Sequence, residues 1–223
     1  MMLRAFRRGL DRLLLADRNY SFLFAPDRSG EVVSLDCETS GFSILADDVI
    51  SIAAVRIRGS RILASESFRA IVRPTAAMEV SAIKVHQLRE RDVAQARVMR
   101  QVLPDFLRFI GSRPLVGYWI SFDVRMLNKY LFSMLNIHLP NRLIDVSELY
   151  YERKYGGAPP GTAVDLRYAS ILADLGLPPR PQHDAFNDAL GAAEMYVILS
   201  DMRARGVRIA RRRDGAAAIF GGT

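Results

Sequence analysis

The chain has 223 residues, of which 50% are hydrophobic and 25% are charged, a size and balance that fit one large globular domain better than two small ones. Its 31 lysine and arginine residues against 24 acidic residues give a formal net charge of +7, which favours polyanionic partners such as nucleic acid or an anionic membrane surface. Cys37 is the single cysteine, so an internal disulfide is excluded. No stretch approaches the roughly 18 apolar residues of a membrane span, and we expect a cytoplasmic protein with no membrane partner.

The basic residues are concentrated at the two ends of the chain, with four arginines between residues 4 and 12 and six between residues 203 and 213. Flexible, solvated tails explain these runs as well as a binding function does. Residues 1–30 are predicted to form a basic amphipathic helix and arm, whose leucine stripe would need a surface to bury it. The main domain is predicted over 31–203, followed by a basic, flexible tail over 204–223.

Hydrophobic patterns along the main domain predict an α/β fold. Strands are expected at 32–38, 49–57 and 62–72, with a tight turn at 59–60, so that the three form an antiparallel meander. Helical spacing then predicts helices at 98–110, 122–135, 166–175 and 184–202, with Asp165 as the cap of the third and short strands at 114–118 and 143–145. This order gives a mixed five-stranded sheet flanked by helices, the order of the ribonuclease H-like fold.

Two acidic residues lie at the end of the first strand. Side chains alternate between the faces of a strand, so Asp36 and Glu38 point one way while Leu35 and Cys37 point toward the core. Two carboxylates at the end of an apolar strand are costly to desolvate without compensation, which favours a metal site over a turn cap. Asp123 and Asp188 each fall near a predicted helix start, where a capping or dipole role is the alternative.

Three motifs together carry a family resemblance. The chain has Asp-Cys-Glu-Thr-Ser-Gly at 36–41, Phe-Asp-Val at 122–124 and His-Asp-Ala-Phe-Asn-Asp-Ala at 183–189. In order and spacing they resemble the motifs of the DEDDh 3'-to-5' exonucleases, the group that includes the proofreading subunit of bacterial DNA polymerase III. The resemblance covers residues 31–203 and includes the segment 82–88. Each motif alone is a weak signal, but three in order make a strong one.

The resemblance implies that four carboxylates hold two divalent cations, Mg²⁺ or Mn²⁺. Two such ions about 4 Å apart activate a water and stabilise the leaving oxygen of a phosphodiester, and both metals prefer hard oxygen ligands. The proposed metal ligands, which are also catalytic residues, are Asp36, Glu38, Asp123 and Asp188.

His183 is the predicted general base. Five residues separate it from Asp188, about 140° on a regular helix, so both cannot face one site from the same helix and the histidine must precede it. Pro178, Pro179 and Pro181 support a loop just upstream. A neutral imidazole there can take a proton from the attacking water near neutral pH.

Substrate contacts are predicted at two places. The resemblance implies that Thr39, Ser40 and Gly41 contact the terminal nucleotide, although such a run is also ordinary turn chemistry. Many relatives carry His-Asn ahead of the second motif's aspartate, where this chain has Tyr118-Trp119-Ile120-Ser121-Phe122-Asp123. Trp119 is a candidate for base stacking, with core packing as the favoured alternative.

The resemblance implies a metal-dependent 3'-to-5' exonuclease that hydrolyses single-stranded or frayed DNA ends and releases nucleoside 5'-monophosphates. The alternatives are an exoribonuclease or oligoribonuclease of the same fold, acting on RNA 3' ends, and a non-catalytic nucleic-acid-binding module. Some relatives are dimers and others join a polymerase, so a second copy or a polymerase is the expected kind of protein partner.

Overall fold

The computed structural model describes residues 2–75, 90–181 and 183–211, with side chains from residue 6 onward except that of Glu90. The predicted family segment 82–88, with His86, lies outside these residues, as does the end of the predicted C-terminal tail.

The amino-terminal helix is shorter than predicted and docks by its polar side. Helix α1 spans Met2–Leu14, and a 3₁₀ helix, Arg18–Phe24, starts afresh because the Asp17 side chain accepts a hydrogen bond from the backbone N–H of Asn19. From α1, Arg8 donates to the carbonyl oxygens of Pro140 and Phe24 at 2.6 and 3.0 Å. The leucine stripe faces outward: from residue 6 onward, the large exposed apolar side chains of α1 are Phe6, Leu10, Leu13 and Leu14.

The predicted antiparallel meander is present. Strands β1 (Glu31–Thr39), β2 (Val49–Arg58) and β3 (Arg61–Arg73) pair in sequence, and Gly59 adopts a φ of 59° in the two-residue turn between β2 and β3. Only glycine adopts such a conformation without steric cost, which explains the tight turn.

The sheet has six strands among the described residues, where the sequence predicted five. Beyond the meander, β4 (Arg97–Val98) pairs parallel with β3, β5 (Leu115–Gly117) parallel with β1, and β6 (Leu143–Asp145) parallel with β5. The resulting order is β4-β3-β2-β1-β5-β6. The missed strand is β4, whose two residues are too few to give an alternation signal.

The described helices beyond α1 are α2 (Glu90–Val93), α3 (Met99–Ile110), α4 (Ser121–Leu135), α5 (Val146–Lys154), α6 (Tyr168–Asp174) and α7 (Ala185–Ala204). Helices α3, α4, α6 and α7 lie close to their predicted ranges, whereas α2 and α5 were not predicted. None of these, nor α1, is long and apolar enough to cross a bilayer. The predicted cap role of Asp165 is wrong, because α6 begins after Arg167 and the Asp165 carboxylate instead binds Arg167 and Ser170 side chains.

Helices cover both faces of the sheet and determine where the acids of β1 point. Val33, Leu35 and Cys37 belong to the core that β1 shares with α3 and α4. The alternate residues face α7, since the hydroxyl of Ser34 donates to the carbonyl oxygen of Ala189 at 2.7 Å. Asp36 and Glu38 therefore emerge from the sheet beside the start of α7, as the alternation predicted.

Candidate active site

Three of the four predicted acids form one cluster. Asp36 and Glu38 come from the carboxyl end of β1 and Asp188 from the first turn of α7, and one carboxylate oxygen of each lies within 4.8 Å of the others. Their neighbours on β2 are small, because Asp36 pairs with Ala53 and Glu38 with Ser51. The small side chains leave space above the sheet for the carboxylates and for a ligand.

The fourth predicted acid lies beside this cluster. Asp123 is in the first turn of α4 and is 5% exposed. One of its carboxylate oxygens accepts a hydrogen bond from the backbone N–H of Cys37 at 3.1 Å. Because Cys37 is the residue between Asp36 and Glu38, this bond holds the Asp123 side chain against the end of β1. The backbone of β1 thus helps to position the acid carried by α4.

Burial and mutual repulsion raise the pKa of every acid in this group. Burial is the largest cause for Asp36, followed by the charges of Asp123 and Asp188, and its pKa lies well above the usual range. The pKa of Asp123 is also raised well above its usual range by burial, despite backbone hydrogen bonds that lower it. For Glu38, burial and then the charge of Asp188 raise the pKa to about 7.

No described cation offsets the burial and repulsion that raise these pKa values. No lysine or arginine among the described side chains pairs with Asp36, Glu38 or Asp188. A bound cation would favour the ionised carboxylates and lower these pKa values. The donor set therefore fits a divalent cation with a preference for oxygen ligands.

His183 precedes α7, as the sequence predicted. It has a φ of 65°, the side chain is exposed, and its backbone N–H donates to Asp188 Oδ2 at 2.7 Å. Asp184 is the cap of α7, accepting a hydrogen bond from the backbone N–H of Asn187 at 2.9 Å. The left-handed turn at His183 therefore fixes the orientation of Asp188 while leaving the imidazole at the surface.

Polar groups of the loop after β1 form hydrogen bonds with one another. The hydroxyl of Thr39 donates to the carbonyl oxygen of Gly41 at 2.7 Å, and the buried Ser40 hydroxyl donates to Asp47 at 3.1 Å. A Cβ at Gly41 would lie 2.5 Å from the Asp47 carboxylate, so a larger residue there would displace that side chain. For Ser40 the structure favours the turn-forming alternative; contact of Thr39 and Gly41 with a nucleotide stays a prediction.

The prediction that Trp119 packs in the core is wrong. The side chain is 59% exposed, and the residue has a φ of 54° at the turn between β5 and α4, which directs the ring away from the core. The turn is closed by the backbone N–H of Phe122, which donates to the carbonyl oxygen of Trp119 at 2.9 Å. Phe42 is also exposed, with its ring 6.3 Å from that of Phe122.

Sequence reasoning missed the role of Asp48. Asp48 is 5% exposed and accepts hydrogen bonds from the Lys129 ammonium at 2.9 Å, the Tyr130 hydroxyl at 2.6 Å and Thr75 at 2.7 Å. It joins the loop after β1 to α4 and to the end of β3. An acid just ahead of a buried strand was the available signal, but its partners are distant in sequence.

Cys37 lies in the core as predicted and is no candidate nucleophile. Burial, and then the nearby charge of Asp123, raise the pKa of its thiol well above the usual range. A thiol that stays protonated is a weak nucleophile.

Comparison with known proteins gives the class to which this site belongs. The family model RNase_T, described as an exonuclease, matches residues 33–196. The chain therefore belongs to this exonuclease family, and the predicted resemblance to the DEDDh exonucleases is confirmed.

Related proteins are named as DNA polymerase III or as its epsilon subunit. DNA polymerase III subunit epsilon of Aquifex aeolicus is 32% identical over 101 residues, 45% of this chain and 49% of that protein. The DNA polymerase III subunit epsilon-like protein of Rhodobacter capsulatus is 29% identical over 179 residues, 78% of this chain and 24% of that protein. PolC-type DNA polymerase III of Thermotoga maritima is 25% identical over 174 residues, 76% of this chain and 12% of that protein. The matched regions thus cover half or less of these relatives.

Solved structures of exonucleases share the fold. The nuclease domain of 3'hExo, a DEDDh family member bound to rAMP, has a TM-score of 0.62 at 17% identity and covers 84% of this chain and all of that one. Escherichia coli ExoI in complex with single-stranded DNA has a TM-score of 0.66 at 15% identity, covering 80% of this chain and 42% of that one. The predicted ribonuclease H-like α/β fold is confirmed.

Proposed function

We propose that this nuclease is a metal-dependent 3'-to-5' exonuclease that removes nucleoside 5'-monophosphates from unpaired DNA ends. The observation that carries the proposal is the cluster of Asp36, Glu38 and Asp188, with Asp123 beside it, whose negative charges no described cation offsets. Residues 31–203 are the proposed catalytic unit.

The four acids would hold two divalent cations, Mg²⁺ or Mn²⁺. When bound, such ions lower the pKa of the attacking water and stabilise charge on the leaving oxygen. Three carboxylate oxygens within 4.8 Å of one another are close enough to share a cation. Because the pKa values of these carboxylates are raised, some of them are expected to carry a proton when no cation is bound.

His183 is proposed to remove the proton from the attacking water. Its backbone is fixed by the hydrogen bond to Asp188, whereas the imidazole is exposed at the edge of the acidic cluster. A side chain in that position can approach the water when substrate is present and release its proton to solvent afterwards.

Exposed aromatic side chains near the acids favour an unpaired strand as substrate. Trp119 lies in the turn before α4, which carries Asp123, and Phe42 lies in the loop after β1. Each ring offers a face on which a base can stack, a contribution of about 1–3 kcal/mol per base that does not depend on sequence. The epsilon and PolC names of the relatives favour DNA and a polymerase partner.

The test is a cleavage assay with strands of identical sequence. Single-stranded DNA, single-stranded RNA and blunt duplex DNA, each labelled at the 5' end, are incubated with Mg²⁺, Mn²⁺ or a chelator. We expect stepwise shortening of the single-stranded DNA from the 3' end that requires a metal. Faster shortening of the RNA would support the exoribonuclease alternative, and tight binding without cleavage in either metal would contradict the proposal.

A further inference from the structure

A groove leads away from the acidic cluster across β2 and β3. It is a cavity of about 290 Å³ between the end of the sheet and the start of α7. Its floor contains the small residues Ser51 and Ala53, and one end opens at Glu38 and His183. The side walls are formed by Arg69 and Ile71 of β3 and by Phe186 of α7.

The strand register places Arg69 on the same face of the sheet as Asp36. Asp36 pairs with Ala53, and Ala53 pairs with Arg69, so the three lie in one row across β1, β2 and β3. Directly paired residues in antiparallel strands point to the same face. Two strand spacings of about 4.8 Å put the backbone of Arg69 roughly 10 Å from that of Asp36.

The guanidinium of Arg69 is held by an aromatic ring and has no acidic partner among the described residues. Its Cζ lies 3.1 Å from the centre of the Phe186 ring. By contrast, Arg56 and Arg58 of the adjacent strand β2 pair with Glu66 and Glu31. Arginine stacked on a ring keeps its outward N–H groups available for an anion, and phosphate is the anion that its planar fork suits.

We propose, on the basis of the exonuclease function above, that Arg69 binds the backbone phosphate next to the scissile one. The acids surround the site of the scissile phosphate, and the stacked guanidinium is displaced from them along the groove. A 3'-terminal nucleotide released as a 5'-monophosphate carries only the scissile phosphate. A second phosphate held by Arg69 therefore belongs to the strand that remains, and the groove is the path of that strand.

Two dinucleotides that differ by one phosphate test this assignment. In d(pTpT) the 5'-phosphate occupies the position next to the scissile group, whereas d(TpT) lacks it. A charge-assisted phosphate contact predicts that the protein cleaves d(pTpT) with a kcat/KM about tenfold or more above that for d(TpT). The Arg69→Gln variant should reduce this ratio to near one, mainly by slowing d(pTpT).

Arg61→Gln is the matched control, because Arg61 is exposed at the other end of β3 and the substitution removes the same charge. It should keep the wild-type ratio. Phe186→Leu, which removes the ring beneath the guanidinium, should give an intermediate ratio. Thermal unfolding of each variant measures whether it is folded, which we expect because Arg69 is exposed.

The outcomes separate the two proposals. If the wild-type protein cleaves neither dinucleotide nor longer DNA, the exonuclease function fails and the inference falls with it. If the wild-type protein cleaves DNA but shows no preference for d(pTpT), or if Arg69→Gln retains the preference, the exonuclease function stands and the role of Arg69 is wrong. An equal fall on both dinucleotides in Arg69→Gln would also overturn it, by placing the contact at the scissile phosphate.

Discussion

Strand β1 carries a glutamate at each end, and the two glutamates have opposite electrostatic surroundings. At the start of the strand, Glu31 is 4% exposed and accepts hydrogen bonds from Arg58 at 2.6 Å and Arg113 at 2.9 Å. Burial would raise the pKa of its carboxyl, but these arginines outweigh burial and lower it. At the end of the strand, Glu38 lies among other acids, and its pKa is raised to about 7.

The comparison separates an acid that stabilises the fold from one held ready for a ligand. A buried carboxylate with two arginine partners keeps its charge and links strands and loops. A carboxylate surrounded by like charges destabilises the protein unless it is protonated or binds a cation. The lack of a basic partner for Glu38 among the described side chains is therefore typical of a ligand-binding site. Removing the charge at one end of β1 should have the opposite consequence from removing it at the other.

The largest expected effect is the loss of activity in Glu38→Gln. If Glu38 holds a cation that stabilises the transition state by several kcal/mol, its loss should lower kcat by about 10³-fold or more. The free energy of unfolding of the metal-free variant should be unchanged or higher, because one repelling charge is gone. Release of labelled mononucleotides and urea unfolding provide the two measurements.

The matched variant Glu31→Gln should retain most of the wild-type kcat. Equal losses of activity in the two variants would show that the ends of β1 are not functionally distinct, and a markedly destabilised Glu38→Gln protein would contradict a ligand-binding role for that end.

A smaller fall is expected when the imidazole beside the acidic end is removed. Asparagine tolerates the left-handed backbone of residue 183, so His183→Asn should keep the hydrogen bond to Asp188. Without a general base, kcat should fall about 10²-fold or more, while the Mn²⁺ concentration required for residual activity changes little. An unchanged rate at neutral pH would remove the base role, and a large rise in the Mn²⁺ requirement would instead point to metal binding.

The pH dependence of the free energy of unfolding should reveal the raised pKa of Glu38 directly. Glu38 has a folded-state pKa of about 7 against an ordinary value of 4.5, so the folded protein holds a proton that the unfolded chain releases. Stability from this group is complete below about pH 4.5 and is lost as pH rises toward 7, by about 2–3 kcal/mol. Urea unfolding in chelator across this range should show the loss.

Glu38→Gln should flatten that pH profile, and Mg²⁺ or Mn²⁺ should raise stability most at the upper end, where the carboxylates are ionised. Stability of the metal-free protein that rises steadily between pH 4.5 and 7 would argue against the raised pKa.

The smallest effect is expected at the paired end of the strand. Glu31→Gln removes the charge that both arginines share, but Arg58 is largely exposed and can be solvated. The free energy of unfolding should therefore fall by only about 1–2 kcal/mol. Urea unfolding in the presence of chelator measures this difference, and a fall as large as that of a deleted core side chain would show that Glu31 does more than join two arginines.

The sequence was informative where the local pattern decided the structure. Alternation along β1 correctly separated Asp36 and Glu38 from Leu35 and Cys37. The rotation per residue of a helix correctly placed His183 ahead of the helix that carries Asp188. Both results depend on geometry that repeats over a few residues, and such geometry can be read from the order of amino acids alone.

Features that depend on distant partners could not be predicted in this way. Asp48 became a buried connection because Lys129 and Tyr130, some eighty residues later, lie against it. Trp119 turned outward because its backbone adopts a left-handed conformation at the junction before α4. The groove at Arg69 arises from the register of three strands, and register is set by the folded sheet as a whole.

Cys37 offers an internal reporter of whether strand β1 stays packed against its neighbours. It is the single thiol of the chain, lies between Asp36 and Glu38, and is buried in the core. Alkylating reagents can reach it only when β1 separates from its neighbours, so the labelling rate measures local opening in the folded protein. Slower labelling on addition of divalent cations would give ligand binding at the acids a readout independent of any substrate.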